Sequence, residues 1–121
     1  MHNAAQTYGR VAKQIANPRE LEANLLLQAA SRLQAVRDAS NRSEPELHDA
    51  LLYNRKLWSI FLTSVTSADN PLPAAVRQNV ANLGLFVMNQ TVTTLGDPQP
   101  EQLGSLIAIN REIAAGLMGR A

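Results

Sequence analysis

The sequence predicts an all-α protein, a small bundle of about five helices whose neighbours run mostly antiparallel. Three observations carry this. Apolar residues recur at i, i+3, i+4 and i+7, the spacing that collects side chains on one helix face. No segment shows the strict alternation of a strand, and β-branched residues cluster only in Thr91-Val92-Thr93-Thr94. Four proline-bearing breaks cut the chain into stretches too long for strands, joined by connections short enough to favour antiparallel packing.

The breaks set the elements. The first stretch, about 3–15, offers only Ala4, Tyr8, Val11, Ala12 and Ile15, a thin stripe expected to dock loosely or only with a partner present. Asn17-Pro18 supplies an N-cap and a proline at the first helical position, opening a helix over 18–40. That helix is apolar on two sides, with Leu25, Leu26, Ala29, Leu33 and Val36 on one and Ala23, Leu27 and Ala30 on the other. Such a helix is either central or pairs outside the bundle. Ser43-Glu44-Pro45-Glu46 reads as a capping box opening 44–68. Asn70-Pro71-Leu72-Pro73 starts a helix over 73–94, whose Thr91–Thr94 end is expected to fray. Gly96-Asp97-Pro98-Gln99-Pro100 precedes the last, 100–118, which Gly116-Leu117-Met118-Gly119 should stop.

At 121 residues the chain is expected to be one domain spanning 1–121. Hydrophobic residues make up 45%, enough for a real core, while charged residues make up only 17%, below the usual quarter. Ten asparagines and eight glutamines stand in for the missing charge, through either a surface covered by a partner or compositional drift. Net charge is +1, and the densest basic patch, Arg55-Lys56, is too small to track a phosphate backbone. There is no cysteine, which excludes disulfides, thiolate nucleophiles and cysteine metal sites. His2 and His48 lie far apart without metal-ligand spacing. Glu20 and Glu22 sit in a first helical turn, where they favour its dipole. No nucleophile–base–orienter set, metal site or cofactor loop emerges, so no enzyme activity is expected. Met1 to Ile15 lacks the apolar run of a secretory signal, and no membrane span is present, so a cytoplasmic protein is expected.

The most informative pattern is an asparagine inside an apolar stripe, three times over. The stripes are Leu47-Leu51-Asn54-Trp58-Phe61-Val65, Ala75-Asn79-Asn82-Leu83-Phe86 and Leu103-Leu106-Ile107-Asn110-Ile113-Leu117. A buried amide without a partner costs about 1–3 kcal/mol. The seam is therefore either a polar network that fixes helix register or a recognition surface. Arg55 and Arg111 each follow an asparagine at the stripe edge, where structural pairing with Glu20 or Glu22 is the expected role. Trp58 is the only tryptophan and is expected to anchor the core. Gly84 inside a helix costs about 1 kcal/mol against alanine, so a close approach is expected there. Candidate partner-binding residues are Leu27, Asn54, Arg55, Trp58, Asn82, Phe86, Asn110 and Arg111.

Four blocks taken in order carry a family resemblance. Pro18-Arg19-Glu20-Leu21-Glu22-Ala23 is similar to a "PRE-x-EA" opening, and Leu51–Trp58 to a central "L-x-YNR-x-LW" motif. Asn70-Pro71-Leu72-Pro73 with Asn82-Leu83-Gly84-Leu85-Phe86-Val87 resembles "NPLP…NLG-x-FV", and Ile109–Leu117 resembles "INREIA-x-GL". Each motif is weak alone; the ordered set, covering nearly the whole chain, resembles the FlaF family of alphaproteobacterial flagellar biosynthesis regulators. The resemblance implies a positive regulator of flagellin production that opposes FlbT, a repressor acting on flagellin mRNA. It also implies flagellin itself as a partner, bound in the manner of a secretion chaperone, and carries over no catalytic residue. An RNA-binding regulator of flagellin mRNA is the alternative, against which stand five aromatics and no basic stripe.

Overall fold

The computed structural model describes residues 18–39 and 43–119. They form four helices: α1 (Pro18–Asp38), α2 (Glu44–Val65), α3 (Ala74–Gly96) and α4 (Pro100–Leu117). No strand occurs among the described residues, and the all-α bundle is as the sequence predicts. The expected first helix at 3–15 lies outside the described residues.

Local chemistry accounts for the ends. α1 and α4 each begin on a proline, whose missing N–H would have had no partner there anyway. The Ser43 hydroxyl accepts from the Glu46 N–H at 3.2 Å, which is the N-cap half of the predicted capping box. At α4 the Gln99 N–H donates to Gln102 Oε1 at 3.3 Å, satisfying a donor that the helix leaves over. α3 begins after Pro73 without a side-chain cap. Its preceding turn is fastened by Asn70, which accepts from the Leu72 N–H at 2.9 Å and donates to the Ser64 carbonyl at 3.1 Å. Gly119 takes a positive φ of 73° just past α4 and stops that helix as expected.

The helices pack as a closed ring, α1 against α2, α2 against α3, α3 against α4 and α4 against α1. The two diagonal pairs do not touch along their backbones. Side-chain pairings run in opposite sequence directions at the α1–α4 and α2–α3 seams: Arg37 lies beside Gly104 while Leu26 meets Asn110, and Leu62 abuts Gly84 while Ser67 meets Arg77. Neighbours are therefore antiparallel, as the short connections require.

α1 reads apolar on two sides because it has a neighbour on each. Ala23, Leu26, Ala29, Ala30 and Leu33 are buried, and the small residues let α4 and α2 come close. All six residues of the α2 stripe, Leu47 to Val65, are buried. The α4 stripe is buried as well, except that Ile113 is half-buried.

The α3 stripe needs correction. Its buried face is Val80, Gly84, Val87, Thr91 and Thr94, whereas Ala75, Asn79, Asn82 and Phe86 are exposed. Apolar residues occur nearly all round this helix, so spacing alone does not single out one face. Two threonines can join the core because their hydroxyls donate to their own helix, Thr91 to the Val87 carbonyl at 2.7 Å and Thr94 to the Gln90 carbonyl at 2.8 Å. The Thr91–Thr94 segment is accordingly an ordinary turn of a helix that runs on to Gly96, and not a fraying end.

Candidate docking cleft and the buried asparagine network

Asn54 and Asn110 are fully buried and bonded to each other, with the Asn110 Nδ2 donating to Asn54 Oδ1 at 2.7 Å. The same Asn110 amide accepts from the Trp58 indole N–H at 2.8 Å and donates to the Leu26 carbonyl at 3.2 Å. One side chain on α4 thereby ties α1 and α2 together across the ring's centre. Because α2 and α4 make no backbone approach, this network is the polar brace of their diagonal. Asn54 Nδ2 has no partner among the described residues. Trp58 anchors the core as predicted, its ring 5.7 Å from that of Phe61 at a tilt of 30°.

The other candidates scatter over the surface. Asn82 is outside the seam and accepts from Gln78 Nε2 at 3.0 Å on an exposed face. Arg55 is exposed on the outside of α2. Arg111 donates to the Gln34 side chain and not to Glu20 or Glu22. Gln34 lies toward the end of α1, while those acids lie near its start. Glu22 instead has the charge of Arg19 beside it, and burial outweighs that charge to push its carboxyl above the ordinary 4.5. Leu27 is half-buried against the core and edges a shallow concavity with Asn24, Gln28 and Arg32, whose guanidinium lies 4.3 Å from the centre of the Tyr53 ring.

The α3–α4 seam is the thinnest of the four, and it opens into an apolar cleft of roughly 520 Å³. α3 contributes Val76, Val80 and Leu83, α4 contributes Ile113, Gly116 and Leu117, and Leu72 lies against them. Arg19 and Glu112 supply opposite charges at its edge. One turn beyond Leu83, Phe86 is 45% exposed, and Val76 is 41% exposed. The sequence placed Leu83, Ile113 and Leu117 in its apolar stripes; it missed Val76, which falls outside the stripe read for that helix. This is apolar surface with a polar rim and space for a side chain to enter, the pattern of a site for an amphipathic helix.

No three acidic, histidine or cysteine side chains among the described residues are grouped to hold a metal ion. No helix among them is long and apolar enough to cross a membrane. Residues 4–117 match the family model described as flagellar protein FlaF. The chain belongs to the FlaF family. No curated protein and no solved structure matches it. The FlaF match spans all four helices and thus both the asparagine brace and the cleft.

Proposed function

We propose that this FlaF-family protein binds flagellin as a cytoplasmic chaperone, taking an amphipathic flagellin helix into the α3–α4 cleft. The observation that carries the reading is the cleft itself, an apolar, charge-rimmed groove on a protein whose family is flagellar. Shielding the assembly-prone helices of flagellin would hand the subunit to export. Holding or releasing flagellin would in turn set how strongly FlbT represses translation of its mRNA.

In this reading the eight candidate residues divide. Phe86 and Asn82 are exposed on α3, within a turn of the cleft-lining Leu83, and touch the partner. Asn54, Trp58 and Asn110 act from within by holding the frame on which the cleft is built. Arg55, Arg111 and Leu27 lie on other faces, away from the cleft, and do not touch the flagellin helix.

Calorimetric titration with monomeric flagellin, repeated with flagellin lacking its terminal helices, tests the proposal. Micromolar or tighter saturable binding that vanishes with those helices is expected. No binding to either form sinks direct flagellin recognition, and salt-dependent binding to flagellin leader RNA would put the RNA-binding reading in its place.

A further inference from the structure

The four helices are not held equally, and the difference has a direction. Asn110, Asn54, Trp58 and the Leu26 carbonyl tie α4, α2 and α1 into one buried hydrogen-bonded frame. α3 contributes no member to it. The hydroxyls of its buried Thr91 and Thr94 are spent on its own backbone. Among the described residues, no side-chain hydrogen bond or ion pair joins α3 to α4.

On its other side α3 is fixed. Gly84 sits so close to α2 that a Cβ there would lie 2.5 Å from Leu62 Cδ2. Arg77 Nη1 donates to the Ser67 carbonyl at 3.2 Å, and Asn70 fastens the turn between the two helices. The short 97–99 connection tethers the C-terminal end of α3 to α4. The cleft lies at the opposite end, where Val76 and Val80 face Gly116 and Leu117 and no covalent link joins the two helices.

We propose that α3 is a flap. It pivots on its Gly84 seam with α2 and on the 97–99 tether, parting from α4 at the cleft end while the α1–α2–α4 frame stays closed. The partner helix then enters a groove whose floor includes Val80 and Leu117, which are buried in the closed form. As a mode of binding this rests on the cleft being the flagellin site; the opening itself is a property of the free protein.

The chain has no cysteine, so an introduced thiol reports one position. Val80→Cys places it in the α3–α4 seam and Ala29→Cys places it in the frame. Native-state labelling with a thiol reagent is measured for each, against that variant's own urea-unfolding stability. The flap predicts that Val80→Cys labels at least about tenfold faster than its global unfolding allows, while Ala29→Cys labels only through global unfolding. Equal protection of the two overturns the flap, whatever flagellin does.

Flagellin binding is measured separately, by calorimetric titration of the parent protein with monomeric flagellin. Its absence sinks the proposed function and leaves the flap to be decided by the labelling result alone.

Discussion

Asn110 stands at the centre of the bundle with Asn54 as its dependent. Asn110 makes three buried hydrogen bonds, whereas Asn54 makes one and leaves its own Nδ2 unpaired. Removing one or the other therefore has different consequences. Asn54→Leu deletes an unpaired donor along with an acceptor, and Asn110 keeps its bonds to the Leu26 carbonyl and to Trp58. Asn110→Leu strands the Trp58 indole N–H and Asn54 Oδ1 together, each worth about 1–3 kcal/mol when buried without a partner. Urea unfolding followed by Trp58 fluorescence should place Asn110→Leu at least about 2 kcal/mol below Asn54→Leu. Equal losses would show that the two amides act as one unit.

Gly84 tests the α2–α3 seam. Alanine would gain about 1 kcal/mol of helix propensity. Its methyl group, however, would meet Leu62 Cδ2 at 2.5 Å and Cγ at 2.8 Å, too close without moving α3 or Leu62. Overpacking of this kind costs about 1–3 kcal/mol, so Gly84→Ala should be destabilising by about 1 kcal/mol net. Adding Leu62→Ala should recover that loss, giving a double variant more stable than the two single effects would sum to. Chemical denaturation of the four members of the cycle measures it.

Where the sequence carried one clear stripe, the fold was legible. The α2 stripe from Leu47 to Val65 and the α4 stripe from Leu103 to Leu117 had one apolar side each, and both are buried nearly as read. The asparagine brace was visible as a pair of amides in those stripes, although which atoms meet depends on a diagonal that no spacing encodes. α3 defeated the same reasoning because valines, leucines and Phe86 surround it, and its buried side includes Gly84, Thr91 and Thr94. The cleft was half legible for this reason. Leu83, Ile113 and Leu117 each stood in a stripe, but they meet only through antiparallel pairing across a seam of the ring.

The carboxyl of Glu22 makes stability depend on pH. Burial raises its folded pKa above 4.5, so the folded state holds this proton more tightly than the unfolded chain does. Its contribution is a penalty, complete above the raised value and relieved as pH falls toward 4.5. Glu22→Gln should raise the urea midpoint at neutral pH and leave it unchanged well below 4.5. Asp38 has the opposite sign, since its hydrogen bond from Arg37 lowers its pKa below 3.8. What it contributes is present above that value and lost on acidification, so Asp38→Asn should not imitate Glu22→Gln. Urea midpoints of both variants, measured from neutral to acid pH, separate the two.

Phe86 and Leu27 distinguish a docking surface from a core edge. Phe86 is 45% exposed one turn along its helix from the cleft-lining Leu83, and an aspartate there keeps its charge in water. Phe86→Asp should leave unfolding within about 0.5 kcal/mol of the parent, as surface changes usually do. It should nevertheless weaken flagellin binding at least about tenfold, a loss of about 1.4 kcal/mol, because it removes apolar contact and sets a charge one turn from the cleft. Leu27 is half-buried against the core, so Leu27→Asp forces a carboxylate partly into apolar surroundings. It should cost about 1–3 kcal/mol of stability and, in the fraction that stays folded, leave flagellin affinity unchanged. Calorimetric titration beside urea unfolding reads both quantities for each variant. The reverse outcome, a stable Leu27→Asp that no longer binds flagellin, would move the site from the α3–α4 cleft to the outer face of α1.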